Sequence, residues 1–178
     1  MALTVGAADD NNQLTDYTSI GFTSPGSFAG IEEDFKPDVM APGGSSGYYS
    51  SIMSVDSNSG DGTAFADQRT NDYWNIQGTS MAAPFVAGCA ALVIDALQQN
   101  GTNWSFVSSQ HPRFVKMLLC ATASESNTNR DSGANNPTLQ RAAAGPSGYP
   151  VSKDQFEGYG LINPDAAVEA AIDRKSVV

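Results

Sequence analysis

Apolar residues along this chain fall in short runs, separated by polar stretches rich in glycine and serine. The spacing within each run predicts its element. Leu3-Thr4-Val5-Gly6-Ala7 reads as a short buried strand, followed by a polar turn over 9–16. Residues 17–31 read as loop, punctuated by Ser24-Pro25-Gly26. Lys36 to Gly44 reads as a strand ended by a Pro-Gly break, and Ser50 to Val55 as a further strand. Asp56 to Asp67, rich in Ser, Asn, Asp and Gly, reads as an exposed loop.

A helix is expected from about Met81 to Gln98. Ala82, Ala83, Ala87, Gly88, Ala90 and Ala91 make nearly every side of it small. A helix that is apolar all round is normally buried between layers, so this one is expected to lie in the core. Pro84 falls near its first turn, where a missing N–H costs little. A second helix starts at Pro112 after His111 and buries Val115, Leu118 and Leu119. A third has Asn163 as its cap, Pro164 in the first turn and Asp165 near the positive end. Residues 124–154 read as a long loop or insertion. Strands alternating with helices indicate a layered α/β domain, and 178 residues suit a single one.

Composition narrows the function classes. Hydrophobic residues make up 40 % and charged residues 16 %, a globular balance. The net charge of −10 repels phosphate backbones, so nucleic acid is not an expected partner. The longest apolar run, Phe85 to Ala91 and on to Ile94, reads as too short to cross a bilayer and broken at Gly88, so no membrane is expected. Met1-Ala2 leads straight into a strand-like run without a signal-peptide core. Cys89 and Cys120 read as buried free thiols, with a disulfide between neighbouring helices as the alternative. Asp56-Ser57-Asn58-Ser59-Gly60-Asp61-Gly62 sets oxygen ligands at alternate positions, like the start of a calcium loop. Its spacing departs from the EF-hand pattern, so a polar loop is the favoured reading and structural calcium the alternative.

Gly78-Thr79-Ser80-Met81-Ala82-Ala83-Pro84 carries the chemistry. A serine in the first turn of a helix sits beside unpaired amides and a dipole that favour negative charge. Such a turn can present Oγ to a carbonyl and an N–H to the oxyanion. By spacing alone, an ordinary serine cap on a core helix is the plainer reading. The full run through Phe85-Val86-Ala87-Gly88, however, resembles the nucleophile motif of the subtilisin-like serine proteases. Three further stretches resemble the same family in the same order: Leu3 to Ala8, Lys36 to Gly43, and Gly158-Tyr159-Gly160-Leu161-Ile162-Asn163-Pro164-Asp165-Ala166-Ala167-Val168.

The resemblance implies a three-layer subtilisin-like α/β fold with a mostly parallel sheet, here its incomplete C-terminal portion over 1–178. It implies Ser80 as catalytic nucleophile forming an acyl-enzyme, Gly78 and Thr79 as substrate-binding, and no catalytic metal. It also implies Met81 as a site of oxidative inactivation, and Ile76 and Gln77 along the leaving-group side of the cleft. Gln77 and Phe85 depart from the serine and histidine frequent there. The implied partner is a polypeptide substrate, and the implied location is extracellular. No histidine precedes Ser80, and neither an Asp-Ser-Gly nor an Asp-Thr-Gly segment lies upstream of it, Asp131-Ser132-Gly133 falling after it. His111, the one histidine, resembles a His-Pro pair away from the active site.

The isolated chain is therefore expected to be inactive, needing the missing N-terminal portion as partner. The alternatives are a non-catalytic binding or folding module, or half of a split enzyme. An open strand edge at Leu3 to Ala7 would favour self-association or partial disorder.

Overall fold

The computed structural model describes residues 2–22, 35–45, 51–55, 73–125, 153 and 156–173. Strand β1 (Val5–Ala8) pairs in parallel with β4 (Val39–Pro42), in the register Val5 to Val39 through Ala8 to Pro42. Beyond β4, the Met40 amide donates to the Gly160 carbonyl and the Ile162 amide to the Met40 carbonyl, at 2.9 and 2.8 Å. Leu161 in turn exchanges both backbone bonds with Ser124. The segments expected near the two ends of the chain thus meet across one sheet. Two antiparallel pairs stand apart from it: β2 (Gly21–Phe22) with β3 (Phe35–Lys36), and β5 (Ile52–Val55) with β6 (Tyr73–Ile76). Among the described residues the parallel sheet is accordingly small, and the architecture is mixed α/β.

Helix α1 (Thr79–Gln99) packs on β1, β4, α2 (Gln110–Ala121) and α3 (Pro164–Ile172). Ala82, Val86, Cys89, Val93, Ala96 and Leu97 turn inward. Their steps of three and four residues trace one stripe along the helix. The stripe joins Ala7, Val39 and Ala41 of the sheet with Val115, Leu118 and Leu119 of α2 in a single core. The other flank is not buried as the sequence suggests. Ala83, Ala87, Gly88 and Ala91 are exposed, and Phe85 and Leu92 are 47 % and 56 % exposed. Small residues on every side hide this asymmetry, because they give no contrast between faces. The helix runs through Gly88 as expected, but where the apolar run reads as too short to cross a bilayer, α1 is long and apolar enough to span one by length and composition alone. Its packed stripe makes it a core helix.

The expected cap is in place, with Asn163 Oδ1 accepting the Ala166 amide at 3.1 Å. Cys89 and Cys120 are buried free thiols, and burial pushes the Cys89 thiol up. The outer edge of β1 is partly covered, since Ala7 donates to Thr18 Oγ1 and accepts from Thr15. Ala8 bridges Leu14 on the same side, and among the described residues no further strand pairs with that edge. The Asp56–Gly62 loop, and all of 124–154 except Ser124, Glu125 and Lys153, lie outside the described residues.

A buried charge ties these parts together. Asp38, 1 % exposed, accepts from Lys153 at 2.7 Å, Lys116 at 2.9 Å and Lys36 at 3.0 Å. It also accepts from the Thr4 amide and hydroxyl at 2.9 and 3.0 Å. Burial alone would push this carboxyl up. The hydrogen bonds from Lys153, the Thr4 amide, Lys116 and Lys36 outweigh it and hold the group well below the usual carboxylate range. The folded chain therefore binds this proton less readily than the unfolded chain does. The stability it contributes is complete above the ordinary aspartate value of about 3.9 and is lost as pH falls from there toward the folded value. In urea titrations, stability declines below about pH 4. Asp38→Asn flattens that decline and costs about 3–5 kcal/mol at neutral pH, because it strands the buried Lys153 ammonium. An undiminished acid slope in the variant would place the sensitivity on other carboxyls.

Candidate active site at the start of helix α1

Strand β6 delivers the chain to Gln77 and Gly78, where the backbone turns sharply into α1. Gly78 adopts φ 153° and ψ 162°, in a region that side-chain-bearing residues seldom enter. Its carbonyl accepts the amides of Met81 and Ala82 at 2.9 and 3.3 Å, which closes the first turn. No side chain caps this end, and no acidic residue stands in the first turn. Ser80 is the second helical residue, and it is exposed. Gly78, Thr79 and Met81 are half-buried around it, and Ile76 and Gln77 are exposed just before it.

Among the described residues, the amides of Thr79 and Ser80 have no backbone acceptor and the Ser80 hydroxyl has no partner. An exposed hydroxyl therefore sits beside two free N–H donors at the positive end of a helix dipole. That arrangement suits a group on which negative charge develops. Ser80 lies in the first turn as the sequence suggests, with the helix starting at Thr79, two residues earlier than its apolar pattern indicates.

The turn is fastened to the sheet at one point. The Gly78 amide donates to the Gly43 carbonyl at 2.9 Å, and the Gly43 amide donates to the Ala8 carbonyl at 2.9 Å. Gly43 permits this approach by lacking a side chain. A β-carbon there would lie 2.5 Å from Ala7 Cβ, 3.0 Å from the Gly78 oxygen and 3.1 Å from the Tyr17 hydroxyl.

His111 is held elsewhere. Its Nδ1 accepts the Ser105 amide at 2.9 Å, and its ring stacks on Trp104 with centroids 4.8 Å apart. His111 and Trp104 line one pocket with Leu97 near the end of α1. Leu97 is 17 residues beyond Ser80, which at about 1.5 Å per residue sets the two ends roughly 25 Å apart. His111 cannot take a proton from Ser80 in this arrangement.

The sequence pattern of the subtilase family matches residues 1–145. The chain belongs to that family. The PII-type proteinase of Lacticaseibacillus paracasei is 29 % identical to this subtilase over 174 residues, spanning 94 % of the chain and 7 % of that protein. Serine protease AprX of Bacillus subtilis is 39 % identical over 102 residues, spanning 55 % of the chain and 21 % of that protein. The chain thus spans a small fraction of these relatives' length.

Two solved structures share the subtilase fold. Fervidolysin from Fervidobacterium pennivorans superposes with TM-score 0.54 at 21 % identity, over 94 % of this chain and 19 % of that one. The CspB protease of Clostridium perfringens superposes with TM-score 0.57 at 22 % identity, over 98 % and 27 %.

Sequence reasoning singled out both the Pro42-Gly43-Gly44 break and Gly78, but not the contact between them. Two glycines 35 positions apart carry no periodic signal of contact. Gly43→Ala is expected to cost about 1–3 kcal/mol through overpacking against Ala7 and Gly78. It should also speed hydrogen exchange at the Gly78 amide in the folded chain. Urea unfolding and amide exchange measure the two effects separately. A fully stable variant with unchanged exchange would show that the seam has room to spare.

Proposed function

We propose that this subtilase chain is the serine-bearing, C-terminal portion of the catalytic domain of a serine endopeptidase, with Ser80 as the nucleophile. The observation that carries the reading is the exposed Ser80 hydroxyl beside two unpaired amides at the start of α1. Its relatives bear the names proteinase and serine protease. Ser80 Oγ adds to the carbonyl carbon of the scissile peptide while a base takes its proton. The oxyanion gathers its charge beside the Ser80 N–H. The C–N bond then breaks, the amine leaves with a proton, and water hydrolyses the ester on Ser80. Gly78 and Thr79 border the bound peptide in this reading.

The base and its orienting carboxylate come from polypeptide outside these 178 residues, since no histidine precedes Ser80 and His111 is remote. The open flank of α1 fits that reading. Completing the burial of Phe85 and Leu92, each about half exposed, is worth about 1 kcal/mol apiece, so a covering layer would find an apolar surface ready. The β1–β4 pair is then part of a wider parallel sheet in a three-layer domain, and the polypeptide preceding the chain is its structural partner. An extracellular location belongs to the same reading and rests on the family resemblance.

The place of His111 favours a second reading of the 178 residues alone, as a module that folds and binds without chemistry. A fluorophosphonate probe and a chromogenic peptide separate the two. The full product of the gene is expected to label and to turn over substrate. Ser80→Ala is expected to abolish both, a loss on the order of 10⁶-fold in kcat. The 178-residue chain is expected to do neither. Turnover that survives Ser80→Ala would remove Ser80 from the mechanism, and Ser80-dependent turnover by the isolated chain would refute the need for an outside base.

A further inference from the structure

We infer that Tyr17 is a positioning residue for Ser80, acting through the carbonyls of Gly43 and Gly44. This rests on the reading of Ser80 as nucleophile. Tyr17 lies on the loop after β1, with its ring partly buried against the core. Its hydroxyl donates to the Gly43 carbonyl at 2.8 Å and also meets the Gly44 carbonyl. A phenol carries one proton, so the two oxygens share a three-centre bond. Gly44 has φ 75°, a left-handed conformation in the turn that brings the two successive carbonyls to the same hydroxyl.

The Gly43 oxygen is the joint of this assembly. One lone pair takes the Tyr17 proton, and the other takes the Gly78 amide at 2.9 Å. Gly78 in turn accepts the first two bonded amides of α1, from Met81 and Ala82. Hydroxyl, carbonyl, amide and helix start thus form one continuous chain of hydrogen bonds. Ser80 is two residues from its last link. Tyr17 makes no hydrogen bond to Ser80, so its effect on the nucleophile passes through the peptide of Gly43. If Gly43 tilts, Gly78 follows, and the Oγ and N–H of Ser80 shift relative to groups held elsewhere in the catalytic domain. A displacement of about 1 Å can cost up to 100-fold in rate.

The test is Tyr17→Phe, which keeps the ring and removes the proton. In the full product of the gene, kcat is expected to fall roughly tenfold, as a small misplacement does, with KM within about twofold. The fraction of sites finally titrated by a fluorophosphonate should stay unchanged while the labelling rate falls with kcat. In the 178-residue chain, exchange at the Gly78 amide should quicken by about tenfold at an unchanged urea midpoint, as local opening does. Unchanged kcat and Gly78 exchange would overturn the inference. So would a loss of kcat that merely tracks fewer titratable sites or a lower midpoint, since that marks a structural role. Ser80→Ala run alongside keeps the two readings apart. If it stays active, the nucleophile reading fails, while Gly78 exchange still reports whether Tyr17 clamps the turn.

Discussion

One backbone hydrogen bond, from the Gly78 amide to the Gly43 carbonyl, joins the start of α1 to the end of β4. The position of Ser80 follows from it. An α-helix end leaves several amides unpaired, and something must orient them. Here no side chain caps the end. Gly78 gives its carbonyl to two helix amides and its own amide to the sheet, and among the described residues the amides of Thr79 and Ser80 have no backbone acceptor. A capping side chain would fill the space where those donors now meet solvent. The arrangement gives up a cap worth about 1 kcal/mol and keeps a site open to an incoming group.

The two flanks of α1 answer to different constraints. The inward stripe is set by the parallel sheet, whose Ala7, Val39 and Ala41 leave room for a helix that is itself built of small residues. Close approach brings α1 near enough for the Gly43–Gly78 bond to form. The outward flank has the same small residues and, in addition, Phe85 and Leu92 half exposed. A soluble surface helix would place charges there. Here Asp95 is the one charged residue on α1, and the proposed catalytic domain accounts for the apolar remainder, because its other layer would bury this flank.

What the sequence revealed depended on contrast. The Asn163 cap, the Val115–Leu118–Leu119 stripe of α2 and the serine at a helix start were all legible, since each sets a distinctive residue against its neighbours. The orientation of α1 was not, because alanine and glycine on every side blur the period. Tyr17 was hidden for another reason: an aromatic residue in a polar loop carries no periodic signal, and its partners are backbone carbonyls 26 and 27 positions away. Lys153 lay in a stretch read as loop, yet it is buried against Asp38. Buried charges look like surface charges until a partner is located. The absence of an upstream histidine, by contrast, was legible at once and still governs the functional reading.

The register of β1 against β4 needs a determinant that apolar burial does not supply. β1 is built of Val, Gly and Ala and β4 of Val, Met, Ala and Pro, and a slip by one residue would exchange the faces of β1 at modest cost in shape. Asp38 resolves the choice. It stands one residue before β4, and its carboxylate takes both the amide and the hydroxyl of Thr4, one residue before β1. The Asp38 amide returns a bond to Thr4 Oγ1 at 3.1 Å. A slipped β1 would take both Thr4 donors away from this buried carboxylate, at a cost of about 1–3 kcal/mol. With that end pinned, Gly43 falls five residues on, its amide on the Ala8 carbonyl, and meets Gly78. A buried charge at one end of β4 and a missing side chain at the other thus act on one coordinate, the place where α1 begins.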